Sequence, residues 1–136
     1  MENCIFCKIV AGEIPSYTIY EDENFKAIFD ISPFGLGHTL IIAKEHYANI
    51  FEMPAPLLGK GLEVAQKVAI AIRDNLGIDG LNILQNNGTA AGQSVMHFHI
   101  HVIPHYEGMG QLDMDKQAVS KEEMEEAARK LAGALQ

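Results

Sequence analysis

A chain of 136 residues, 48% hydrophobic and 21% charged, can bury one core without disulfide staples, and one domain is expected over residues 1–136. Its formal net charge of −8, with Lys and Arg totalling only 10, excludes a broad nucleic-acid face, which needs many cations to neutralise phosphates. No basic-then-apolar leader follows Met1-Glu2-Asn3-Cys4 and no apolar run reaches the ~18 residues of a membrane span, so the cytoplasm is the expected location.

The amino-terminal half reads as short extended pieces. Thr18-Ile19-Tyr20, Phe25 to Phe29 and Thr39 to Ala43 are rich in β-branched and aromatic residues, and Gly12, Pro15, Asp22, Pro33, Gly35 and Gly37 punctuate them. Lys26 to Phe29 and Leu40 to Ile42 are nearly continuous in apolar content, as in strands covered on both faces. After the Pro54/Pro56 break, Leu58, Leu62, Ala65, Ala69, Ile72 and Leu76 recur at helical spacing on one stripe, ending at a capping Gly77. Gly59 and Gly61 weaken the first turn of that helix.

Leu81 to Gln85 is a further strand, followed by a polar loop from Asn86 to Ser94 and then a histidine-bearing strand. Met109 to Val119 has no pattern. A last helix starts near Ser120, with Glu123 in capping-box spacing and acids Glu122, Glu123, Glu125 and Glu126 ahead of Arg129 and Lys130. Strands and helices segregated in this way predict an antiparallel α+β domain.

The chemistry concentrates in His97-Phe98-His99-Ile100-His101-Val102. On a strand, residues two apart share a face, so the three imidazoles form one row with neighbouring Cα atoms ~7 Å apart, while Phe98, Ile100 and Val102 face the core. Such a row suits a metal site on a His-x-His pair, or covalent catalysis in which one imidazole attacks a phosphate and another steadies the developing charge. Gly88, Gly92 and the small residues between them, with Gln93 and Ser94 as donors, read more as a phosphate cradle than as a metal cage. Cys4-x-x-Cys7 has the spacing of a zinc clip, and equally of a redox pair or of two buried apolar thiols.

Gly92-Gln93-Ser94-Val95-Met96-His97-Phe98-His99-Ile100-His101-Val102-Ile103 resembles the histidine triad (HIT) family, defined by His-φ-His-φ-His-φ-φ with φ apolar. Cys4 to Ile9, Ile14-Pro15, Asp30 to Pro33, Gly37 to Leu40 and Lys44-Glu45-His46 extend the likeness over about residues 4–106, most closely to bacterial Hint-like members. The resemblance implies a five-stranded antiparallel sheet with a long central helix and a C-terminal helix beyond residue 107. It also implies a homodimer joined across a helix and an edge strand. The Leu58–Leu76 stripe would serve that contact or pack on its own sheet.

The resemblance further implies hydrolysis at the α-phosphate of purine nucleoside phosphoramidates or related AMP and GMP conjugates, through a nucleotidyl-histidine intermediate. His99 would attack phosphorus and His101 would hold a phosphate oxygen. Ser94 and Gln93 would contact the phosphate or leaving group, and His38 would orient its partners. Asp30 would bind the ribose, Phe6, Ile9, Ile28 and Ile31 the base, and Asn86 and Gly92 would line the phosphate path. A structural zinc ion would sit on Cys4, Cys7, His46 and His97. The chain lacks Trp, so the tryptophan-bearing tail of some Hint proteins is absent, and residue 105 is His where bacterial relatives often carry Arg. Diadenosine polyphosphate hydrolysis, nucleotidyl transfer and nucleotide binding without turnover are the alternatives within the family, and a metallohydrolase with catalytic zinc is the alternative outside it.

Overall fold

The structure, a computed structural model, describes residues 3–107, 120–123 and 125–126. Its elements in chain order are helix α1 (Ile5–Val10), strands β1 (Thr18–Glu21), β2 (Phe25–Phe29) and β3 (Thr39–Ala43), helix α2 (Ala55–Leu76), strand β4 (Gly80–Leu84), a 3₁₀ turn (Thr89–Ala91) and strand β5 (His99–His105). The strands form one antiparallel sheet in the order β1-β2-β3-β5-β4. Asp22 makes the first hairpin, because its Oδ1 accepts the Asn24 and Phe25 N–H groups at 2.8 Å each and folds β2 back on β1.

Register decides what each face of the sheet carries. Ile42 lies opposite His99 and Leu40 opposite His101, while Lys26 and Ile28 of β2 oppose Ile42 and Leu40. These residues therefore share one face, and α1 covers it with Phe6 and Ile9. The other face carries Phe25, Ala27, Ile41, Ala43, Ile100 and Val102 and is covered by α2. With a helix on each side, β3 is buried along its whole length and β2 over all but its last residue, as their unbroken apolar runs predict. Each large apolar side chain so buried contributes roughly 1.5–3 kcal/mol.

Four expectations change. Residues 5–10 are helical, not part of an extended amino-terminal half: the Cys4 thiolate or thiol sulfur accepts the Cys7 N–H at 3.3 Å and caps the turn, and burial of Phe6 and Ile9, three apart, rewards it. Helix α2 starts at Ala55, inside the Pro54/Pro56 break with Pro56 in its first turn, and ends as expected on Gly77 in the left-handed region, φ 64°. Its core face, however, is Gly61, Val64, Ala65, Val68 and Ile72, and Leu62 of the expected stripe is 59% exposed. The reason is Phe25: a Cβ on Gly61 would stand 2.9 Å from its ring, so Gly61 lets helix and sheet approach, and the helix turns this side inward. Leu58, Ala69 and Leu76 pack only at the margin of the core.

Strand β4 runs one residue earlier than expected, and β5 starts at His99, leaving His97 ahead of the ladder. Near the C-terminus, residues 121–123 and 125–126 are helical, and the Glu123 N–H donates to Ser120 Oγ at 3.1 Å, as the capping-box spacing predicts. The rest of that expected helix and the stretch from Met109 to Val119 lie outside the described residues. No helix among the described residues is long and apolar enough to cross a membrane.

Candidate active site

His99 sits on the α1 side of the sheet, 6% exposed, and its Nδ1–H donates to the main-chain carbonyl of His97 at 2.7 Å. That bond fixes the tautomer: the lone pair is on Nε2. The Phe6 ring meets the imidazole edge-on at 4.9 Å and His101 lies 5.0 Å from it, centroid to centroid. Burial pulls the His99 pKa below its ordinary value, against the opposing pull of the His97 carbonyl and the Asp30 charge. A buried, neutral imidazole with a free lone pair has the form that a nucleophile needs at pH 7.

His101 is oriented by a chain of bonds that starts on the main chain. The Phe34 N–H donates to His38 Nδ1 at 3.2 Å, so the proton of His38 is on Nε2. His38 Nε2–H in turn donates to His101 Nδ1 at 3.0 Å, which leaves the proton of His101 on Nε2. The site thus carries one imidazole as acceptor and its neighbour as donor. His38 is 1% exposed, stacks on the Phe34 ring at 5.6 Å, and lies 3.7 Å from Asp30 Oδ2. Asp30 Oδ1 accepts the Ser32 N–H at 2.8 Å, holding the carboxylate beside the pair.

Burial, reinforced by His99 and His38, pushes the His101 pKa down to about 4. Since the folded value lies below the ordinary 6.5, the unfolded chain gains protons that the folded chain refuses as pH falls. The burden is absent above about pH 6.5 and grows from there down to about 4. The urea midpoint is therefore expected to fall between pH 7 and pH 4.5, and to fall less in His101→Gln. Equal falls in the two proteins would remove His101 from this dependence.

His97 parts from the row. Its Nε2–H donates to the Ala43 carbonyl at 2.6 Å, and its Nδ1 faces Cys4 Sγ at 3.2 Å, Cys7 Sγ at 3.4 Å and His46 Nδ1 at 3.1 Å. Cys7 Sγ and His46 Nδ1 are 3.2 Å apart, and all four atoms lie within 4.8 Å of one another. Two sulfurs and two ring nitrogens at tetrahedral zinc distances would be separated by about 3.3–3.8 Å, close to this arrangement. The second nitrogen of His97 is tied to a carbonyl, as metal-bound histidines usually are. Burial and the Cys4 neighbour raise the Cys7 thiol pKa above its ordinary value. The donor set fits zinc, and with four protein ligands it leaves no open position.

The remaining expected residues divide. Phe6, Ile9 and Ile28 pack together with Leu40 and Ile42, but Ile31 is 85% exposed and stands outside that group. Ser94 is exposed at the end of the loop, and Asn86 Nδ2 reaches only the Gly92 carbonyl, at 3.5 Å. Gln93 is a correction. It is 2% exposed, both amide hydrogens go to the carbonyls of Ala48 (2.6 Å) and Val95 (3.0 Å), and its Oε1 accepts the Gly88 N–H at 2.7 Å. It braces the loop and has no donor left for a phosphate.

The cradle reading changes with it. The N–H groups of Ala91, Gly92 and Gln93 bond back to Gly88 and Thr89, so the glycines serve the turn, with φ of +90° at Gly88 and +93° at Gly92. The sequence reading missed Phe34, and it missed Asn87, whose Oδ1 accepts the Ile50 N–H at 2.7 Å. No side-chain pattern signals a role that belongs to the Phe34 main chain; the Asn86-Asn87 pair was the available hint for the second. His105 lies at the far end of β5, opposite Gly80.

A model of the HIT domain matches residues 11–108. The chain belongs to the HIT family. Protein hit of Bacillus subtilis is 52% identical over 105 residues, which cover 77% of this chain and 72% of that protein. Adenylylsulfatase HINT3 of Arabidopsis thaliana is 42% identical over 105 residues, 77% of this chain and 53% of that protein. The crystal structure of a HIT family member from Bacillus subtilis matches with a TM-score of 0.86 at 44% identity over 96% of both chains. A Zn-bound histidine triad family protein from Mycobacterium smegmatis matches with a TM-score of 0.77 at 39% identity over 98% of both. The antiparallel five-stranded sheet with its helices is thus the HIT fold, and the family is one of nucleotide-binding hydrolases and transferases.

Proposed function

We propose that this HIT protein hydrolyses purine nucleoside phosphoramidates and related AMP or GMP conjugates at the α-phosphate. The observation that carries the reading is the opposed pair of tautomers: Nε2 of His99 bears a lone pair, and Nε2 of His101 beside it bears a proton. His99 Nε2 forms a bond to phosphorus as the bond to the leaving nitrogen breaks, and that nitrogen keeps the electron pair and takes up a proton from solvent, to which the later hydrolysis step returns one. The His101 N–H donates to a non-bridging oxygen as its charge grows. Water then attacks the nucleotidyl-histidine and frees His99, so the net reaction adds OH to phosphorus and H to nitrogen.

In this reading Phe6, Ile9 and Ile28 back the base, Ile31 closes over it from the surface loop, and Asp30 takes the ribose hydroxyls. Asn86 and Gly92 border the phosphate, and Ser94 offers its hydroxyl to the leaving group. Cys4, Cys7, His46 and His97 would hold zinc, which supplies a structural cross-link when bound. A panel of adenosine and guanosine phosphoramidates against diadenosine polyphosphates, run on metal-quantified protein, tests the reading. Saturable AMP binding without product from any of them would replace it with a binding role.

A homodimer is part of the same proposal. Strand β4 is a sheet edge, and Leu62 (59% exposed), Ile70 (43%) and Ile83 (44%) leave an apolar surface on α2 and beside it on β4. Sedimentation at micromolar concentration is expected to give the mass of two chains, and Leu62→Glu that of one. A single-chain mass for the unaltered protein would refute the dimer.

A further inference from the structure

Among the described residues, Lys26 is the only Lys, Arg, Asp or Glu that is buried. It is 9% exposed and lies on the face of β2 that α1 covers, opposite Ile42 and two residues from Ile28. Its Nζ donates to the main-chain carbonyl of Ile9, at the C-terminal end of α1, at 3.1 Å. A carboxylate stands closer in register: Glu21 of β1 is directly opposite Lys26, but it pairs with Lys44 at 2.7 Å. The buried ammonium is thus committed to the helix end.

That carbonyl does not need it. The Gly12 N–H already donates to the Ile9 oxygen at 3.1 Å, so without the ammonium no buried acceptor is orphaned. Burying a cation is costly, and what it gains here is a tie between helix and strand. Helix α1 has six residues, too few to hold a position by its own stability. Its amino-terminal end stands on the Cys4 and Cys7 cluster, and Lys26 holds the other end. Between the two ties lie Phe6 and Ile9, packed together with Ile28. We propose that Lys26 is a positioning residue for nucleoside binding, clamping α1 to β2 so that Ile9 and Ile28 form one wall for the base. The inference rests on the reading above that Phe6, Ile9 and Ile28 back the base.

The test is Lys26→Met, which keeps an apolar stem of similar length and removes the donor. Exchange of a buried ion for an apolar chain is often neutral for stability, so the thermal midpoint and zinc content are expected to hold. The Kd of AMP by calorimetry is expected to rise about tenfold, the scale of one charge-assisted hydrogen bond. KM for adenosine phosphoramidate should rise with it. The value of kcat should stay within about threefold, because the bonds that set His99 and His101 do not pass through Lys26. Lys26→Arg restores a cationic donor and is expected to recover most of the affinity. A Lys26→Met protein that does not fold, or has a lowered midpoint with Kd unmoved, makes Lys26 a packing residue and overturns the proposal. So does a Kd within twofold of the unaltered protein, or a loss that arginine does not restore. If AMP does not bind the unaltered protein, the base-wall reading fails and this one fails with it.

Discussion

Replacing His99 with glycine is expected to lower kcat on adenosine phosphoramidate by at least about 10⁴-fold, in line with losses seen when a covalent nucleophile is removed. The size follows from the absence of a substitute. His101 has its proton on Nε2 and its lone pair engaged by His38, so it faces the phosphate as a donor. His97 has both ring nitrogens committed, one to Ala43 and one to the cysteine cluster. Added imidazole is expected to restore part of the rate in His99→Gly, because the vacated space lies beside Phe6 and keeps the remaining donor in place. A variant within tenfold of the unaltered protein would remove His99 as the nucleophile. Acid-quenched protein carrying labelled AMP, present with His99 and absent without it, provides the independent readout.

The second large effect belongs to the amino-terminal clip. Cys7→Ser is expected to reduce bound zinc from about one ion per chain to near zero and to lower the thermal midpoint by roughly 10 °C or more. Structural zinc sites bind with apparent free energies of about 10–16 kcal/mol, and loss of even a few kcal/mol shifts a domain of this size by that much. Activity should fall too, by about 10–100-fold. The path is visible: Cys4 and Cys7 anchor α1, α1 carries Phe6, and the Phe6 ring lies 5.9 Å from His97 and 4.9 Å from His99. The main chain of the fourth candidate ligand, His97, accepts the bond that fixes the tautomer of His99. An unchanged midpoint with unchanged metal content would overturn the assignment of this cluster. An unchanged midpoint with metal lost would make the site dispensable for folding.

Much of this architecture was legible because it rests on periodicity. Alternation placed His99 and His101 on one face and Ile100 and Val102 on the other, and continuous apolar runs marked β2 and β3 as buried on both sides. Cys4-x-x-Cys7 had the spacing of a two-ligand clip but equally of a redox pair or two buried thiols, and only the fold brings His46 and His97 to it. What was not legible depends on neighbours far along the chain. The turn of α2 that packs inward is chosen by Phe25 meeting Gly61, and large residues such as Leu62 mislead when a helix has two apolar stripes. Gln93 reads as a ligand donor in sequence because its acceptors, Ala48 among them, are main-chain groups 45 residues away or hidden in the same loop. Helix α1 is too short for periodicity to declare it.

The chain of bonds that begins at Phe34 has a consequence for heredity. A side-chain imidazole can reverse its polarity by moving one proton, but a peptide N–H has a single sense, and it is this group that dictates the order of protons through His38 to His101. The instruction is therefore written in the part of the polymer that nineteen of the twenty amino acids share. Codon changes at position 34 alter the ring that stacks on His38 and leave the instruction intact, with proline as the one spelling that erases it.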